Sequence, residues 1–167
     1  MDLKLKNMKK IFLTFATAAL FSVSVFAADG GKKPTDGSAN VSYAAQQEFN
    51  TDFATAQNVT WTVNKNCQKA DFEIDGVKKT AFYNLMGDFI GTTQAVDYKI
   101  IPAKIQKQIA ADFKDFTVSE VIKFEANTAY NSDVEPTSYF VDLKSTSQEV
   151  LVKVTSDGDV KFFKQVK

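Results

Sequence analysis

From Val41 onward the chain reads twice, and that duplication limits its folds more than any single motif. Val41, Ala45, Phe49, Phe53 and Ala56 recur three and four residues apart, which predicts one face of an amphipathic helix. The period then changes to two, predicting strands over 59–63, 71–75, 80–86 and 89–96, with Asp75-Gly76 a tight turn and Gly91 the site of a bulge. The order returns. Ile101-Pro102 opens a second helix, with Pro102 at its first position and Ile105, Ile109 and Phe113 on one face. Strands follow over 118–125, 138–144, 149–155 and 160–166. Phe53 returns as Phe113 at an offset of 60 and Gly87 as Gly158 at 71. The polar stretch 127–137 absorbs the difference.

The expected class is α+β, a tandem repeat of one helix plus a four-stranded antiparallel sheet, with units at 41–98 and 99–167. Short connections pair sequential strands antiparallel. The two units are expected to continue into one eight-stranded sheet with both helices on one face. Trp61, Phe72, Ile74, Val141, Val152 and Val154 would point to the helices. Thr62, Asp71, Glu73, Asp142 and Lys153 would point away. Some aromatics fall out of phase: Tyr83 beside Phe82, Phe140 beside Tyr139, and the adjacent Phe162 and Phe163. Tyr83 and Phe140 are expected on the helix-free face as anchors for a partner, since aromatics on a bare sheet suit protein binding.

Residues 1–27 carry the marks of a secretory leader. Lys4, Lys6, Lys9 and Lys10 precede an uncharged apolar run over 11–26, and Val25-Phe26-Ala27 offers small residues for cleavage after Ala27. Met8 would serve equally as a start. Residues 28–40, rich in Gly, Lys, Asp and Ser, read as a flexible tether. An exported protein, periplasmic or extracellular, is expected, with no membrane segment left after cleavage. Without residues 1–27 the net charge is −3, and the chain contains no Arg. That balance speaks against nucleic acid, whose recognition leans on Arg and a concentrated basic patch.

The chemistry is narrow. With no His, the usual base of serine and thiol hydrolysis is missing, as is the commonest transition-metal ligand. Cys67 is the only cysteine, so no internal disulfide forms; it sits in the polar, turn-like stretch 64–69 and reads as a loop residue. Asp71, Glu73 and Asp75 form a row at two-residue spacing. Such a row could take calcium or serve as an acid–base pair, and it is also how the wet face of a strand looks. The stretch 156–159 lacks the ligand spacing of a calcium loop and reads as a hairpin turn. No phosphate loop, nucleophile elbow or dinucleotide fingerprint occurs. No catalytic residue, cofactor or metal site is therefore expected.

One set of residues resembles a known family. Phe49-x-x-x-Phe53 leading to Val59-x-Trp61, then Phe72-x-Ile74-Asp75-Gly76, Tyr83-Asn84-x-x-Gly87, Ile101-Pro102 and Asp157-Gly158 look like the exported beta-lactamase-inhibitor-like, PepSY-like proteins of Bacteroidetes-type bacteria. The resemblance spans most of the chain from Val41. It implies a helix-and-antiparallel-sheet repeat whose open face holds a partner protein, as in beta-lactamase inhibitor proteins. The disulfides of the inhibitor members have no counterpart here. Expected from residues and resemblance together is an exported, non-catalytic module that binds a protein or envelope component through the open sheet face, inhibitory in character. The alternative is a periplasmic small-ligand or calcium sensor built on the row at Asp71, Glu73 and Asp75.

Overall fold

The computed structural model describes residues 40–167. The leader expected over 1–27 and, save Asn40, the tether over 28–40 lie outside the described residues. Helix α1 (Tyr43–Asp52) is followed by strands β1 (Gln57–Val63), β2 (Gln68–Ile74), β3 (Val77–Tyr83) and β4 (Phe89–Ala95). A 3-10 turn (Tyr98–Ile100) leads to α2 (Ala103–Asp112), then to β5 (Thr117–Ala126), β6 (Thr137–Lys144), β7 (Glu149–Val154) and β8 (Val160–Gln165). The strands pair in sequence order into one eight-stranded antiparallel sheet. Strand β4 pairs with β5, so the link between them, carrying α2, returns the chain to the same sheet.

The repeat is visible residue by residue. Val41, Ala45 and Phe49 are buried, and so are Ile101, Ile105 and Ile109, sixty residues later. Both helices end alike: the Phe53 N–H donates to Phe49 O at 2.8 Å, and Phe113 N–H to Ile109 O at 2.9 Å. Their starts differ. Ser42 caps α1, its hydroxyl accepting the Ala45 N–H at 3.2 Å. At the equivalent place Pro102 stands one position before the first helical residue rather than on it, with no side chain to cap.

The hairpins β3–β4 and β7–β8 turn the same way. Asn84 and Asp88 share the backbone bond that Thr155 and Asp159 share, each 3.0 Å. The glycines of both turns meet a helix. A Cβ on Gly87 would lie 2.6 Å from Ala44 Cβ and 2.8 Å from Ala45 N, and one on Gly158 would lie 3.3 Å from Ile105 Cδ1. The 71-residue echo thus marks where a turn presses on a helix start.

Two cores result. Under α1, Ala45 and Phe49 pack on Trp61, Ala70, Phe72, Ala81 and Tyr83. Under α2, Ile105 and Ile109 pack on Val121, Val141, Leu143, Val150 and Val152. Register shows that both lie on one side. Ala81 pairs with Thr92, Thr92 with Glu125, and Lys123, two residues from Glu125, pairs with Tyr139, which packs against the second core. Between the cores this side carries Thr92, Gln94, Lys123 and Glu125, with Lys123 Nζ 2.6 Å from Glu125 Oε1. A polar seam separates them.

Candidate functional site

The face away from the helices is built by the alternate residues of every strand. Register places Phe82 beside Gly91, Thr93 beside Phe124, Ile122 beside Phe140, and Phe140 beside Lys153. Phe82, Ile122, Phe124, Phe140 and Leu151 form an apolar band across it. The Phe124 ring covers Gly91, where a Cβ would come within 2.9 Å of it. Phe163 meets Phe140 edge-on with ring centroids 4.9 Å apart. Around the band stand Thr60, Thr62, Lys69, Asp71, Thr80 and Thr93 on one side and Glu120, Asp142, Lys144, Glu149 and Lys153 on the other. Neither helix crosses this face.

Tyr83 is not part of it. The side chain expected there is 0% exposed and sits beneath α1, 5.6 Å from Trp61 and 5.5 Å from Phe89, ring centroid to centroid. The cause is register. Asp75 and Gly76 both take positive φ (51° and 75°), forming a two-residue turn. That turn pairs Ile74 with Val77 and so Gln68 with Tyr83, on the side of Phe72. Phe82, the neighbour, takes the helix-free side.

The Tyr83 hydroxyl is buried with no hydrogen-bond partner. Burial pushes its phenol far up, and the nearby Asp52 and Glu48 add to the rise. A buried hydroxyl without a partner costs about 1–3 kcal/mol. Tyr83→Phe should therefore raise stability by roughly 1 kcal/mol, read as a higher urea midpoint at unchanged slope. A lower midpoint would show that the hydroxyl has a partner in solution.

Phe140 lies on the helix-free face by register, yet it is only 7% exposed. It forms part of the floor of the band and does not protrude. The acidic row does not converge. Asp71 accepts a hydrogen bond from Thr80 Oγ1 at 2.6 Å and pairs with Lys69 at 3.2 Å. Glu73 faces Lys78 in register, and Asp75 has left the strand for the turn. Among the described residues no three His, Cys, Asp or Glu side chains are placed to hold a metal ion. The calcium alternative finds no geometry there.

Cys67 is buried, although its stretch is polar. Asn64 folds the β1–β2 turn over it: Asn64 Oδ1 accepts the N–H groups of Asn66 and Cys67 at 2.8 and 2.9 Å, and its Nδ2 reaches Sγ at 3.5 Å. On the helix side, a shallow apolar groove runs along α2 between Tyr98, Phe113, Phe116 and Leu143. It gathers no convergent polar groups.

The comparisons bear on this architecture. No protein-family model and no curated protein matches the chain. Solved structures do match it in fold. A BLIP-like protein from Bacteroides fragilis superposes with a TM-score of 0.60 at 17% identity, over 81% of this chain and 89% of that one. A DUF2874 family protein from Bacteroides uniformis gives 0.64 at 14% identity, over 75% and 90%. A chain from Bacteroides eggerthii described as a candidate periplasmic protein gives 0.62 at 16% identity, over 75% and 87%. At these identities the likeness is one of fold, and it agrees with the family resemblance of the motifs. No helix among the described residues is long and apolar enough to cross a membrane.

Proposed function

We propose that this chain, sharing the fold of BLIP-like and DUF2874 structures, is an exported, non-catalytic binding module that docks a protein through its helix-free sheet face. The carrying observation is the apolar band on a face that neither helix covers, in which Phe82, Ile122, Phe140 and Leu151 form a buried floor (3–7% exposed) and the half-buried Phe124 and Phe163 form its accessible part. Most outward faces of antiparallel sheets are polar, and a contiguous apolar strip with a charged rim is how protein-binding surfaces are composed. Export is supported by the leader-like residues 1–27 and by the description of the Bacteroides eggerthii neighbour. The missing His and the unconverged carboxylates support a role without catalysis.

Site-specific photocrosslinking tests this. A crosslinking residue at Thr93 or Lys153, on the band's margin, should capture a discrete envelope protein. The same residue at Gln47 or Lys107, on the exposed sides of α1 and α2, should not. Adducts arising only from the helix positions would reject the helix-free face as the docking surface.

A further inference from the structure

The two units differ most in one connection. Residues 64–67 join β1 to β2, whereas residues 127–136 join β5 to β6, a longer link than the repeat itself requires. That link is held at both ends, and its holds lie on opposite sides of the β4–β5 pair. Toward the first unit, Asn127 donates its backbone N–H to Ile90 O at 2.8 Å and its Nδ2 to Phe89 O at 3.0 Å. Farther out, Asn84 Nδ2 in the β3–β4 turn donates to the Tyr130 hydroxyl at 3.3 Å. Toward the second unit, Glu135 Oε2 lies 2.8 Å from Lys153 Nζ on β7 and accepts a hydrogen bond from Ser138 Oγ at 3.3 Å. Neighbouring strands lie about 4.8 Å apart, so the outer holds grip the sheet at points roughly 15 Å from one another.

We propose that residues 127–136 are a strap that fixes the angle between the two helix-backed units. Thr92, Gln94, Lys123 and Glu125, on the helix side of β4 and β5, belong to neither core, so core packing does not set that angle. A segment anchored to the β3–β4 turn on one side and to β7 on the other crosses the β4–β5 line. Any change of angle must therefore stretch or break one of its holds. The first unit has no counterpart, since its short link folds only over its own Cys67. Lys153 pairs with Phe140 in the register and stands on the helix-free face, so the strap also closes one end of that face. Its action does not depend on what the face binds. The strap is releasable. The Glu135 and Lys153 side chains are each 30% exposed, and a part-exposed ion pair, like a single hydrogen bond to a hydroxyl, is weak enough to be exchanged for a competing partner.

Amide hydrogen exchange in the intact protein tests this. Tyr130→Phe combined with Glu135→Gln removes both outer holds with little change of shape. Exchange of the amides that pair β4 with β5 should then quicken about ten-fold, the scale of one net hydrogen bond and one part-exposed ion pair together. Amides pairing β2 with β3 and β6 with β7 should keep their rates. Tyr130→Phe with Lys153→Gln breaks the same ion pair from its other member and should reproduce the faster β4–β5 exchange. Nitroxide labels at Gln47 and Lys107, on the exposed sides of α1 and α2, read the angle directly, with the buried Cys67 replaced by serine so that only these sites are labelled. Their distance distribution should be broader in either double variant than in the unaltered chain. Unchanged β4–β5 rates, an unchanged distance distribution, or acceleration spread evenly over the whole sheet would each overturn the strap.

Discussion

Truncating Phe49 to alanine is expected to cost about 3–5 kcal/mol of stability, the range for removing a large buried aromatic. Phe49 is the hub of the first core. Its ring centroid lies 5.3 Å from Phe53, 5.4 Å from Trp61 and 5.1 Å from Phe72. Its neighbours Ala45, Ala70 and Ala81 are too small to close the cavity left behind. Helix α1 has 10 residues, shorter than the ~12–15 at which an isolated helix becomes even marginal, so packing through this ring holds it in place. Tyr43→Ala, on the solvent side of the same helix, should change stability by no more than about 0.5 kcal/mol. Urea unfolding measures both. A loss below about 1 kcal/mol for Phe49→Ala would mean that α1 is not held by this cluster. Because the cores are separate, amide protection should fall first in β1 to β3 and persist in β6 and β7.

Gly91→Ala is expected to cost about 3 kcal/mol, combining overpacking with an unfavourable positive φ. Gly91 stands opposite Ala126 in the strand pair that unites the two halves. Its φ is 156°, and an added Cβ would lie 2.4 Å from the Glu125 carbonyl oxygen, so backbone must move. Gly76 is the control. It also has positive φ, at 75°, but nothing lies within 4 Å of its would-be Cβ, so Gly76→Ala carries only the conformational cost of about 1 kcal/mol. Equal losses for the two variants would show that the β4–β5 pair yields without strain. Crosslinking from Thr93, two residues along, should weaken with Gly91→Ala because the Phe124 ring loses its seat.

Much of this architecture was legible because period and punctuation agree. The helical spacing of Val41, Ala45, Phe49 and Phe53, and its copy in Ile101, Ile105, Ile109 and Phe113, named the buried faces correctly. The alternation in β2, β6 and β7 named which side met the helices. Ala81-Phe82-Tyr83 defeated that reading, since apolar residues on consecutive positions leave a period of two without a phase. The phase was nevertheless encoded in Asp75-Gly76. A two-residue turn fixes Ile74 against Val77, and counting outward puts Tyr83 with Phe72 beneath the helix. The burial of Asp142 was hidden for another reason. Alternation showed that the carboxylate points away from the helices. Its register neighbours Glu120 and Leu151 come from other strands, brought beside it by pairing that spacing along β6 does not reveal. Cys67 does sit in the loop its polar neighbours indicated, and its burial was not legible because it comes from Asn64 folding back over the thiol.

The polar seam between the cores has a mechanical consequence. Each half is a braced plate, stiffened by a helix bolted across its strands. The midspan of β4 and β5, at Thr92, Gln94, Lys123 and Glu125, contributes no residue to either helix-backed core. Flexing along that line distorts backbone hydrogen bonds and one ion pair but exposes no side chain of those cores. Bending there should therefore cost less than bending across either core. A change of pitch between the plates would widen or narrow the opposite surface while both cores remain packed.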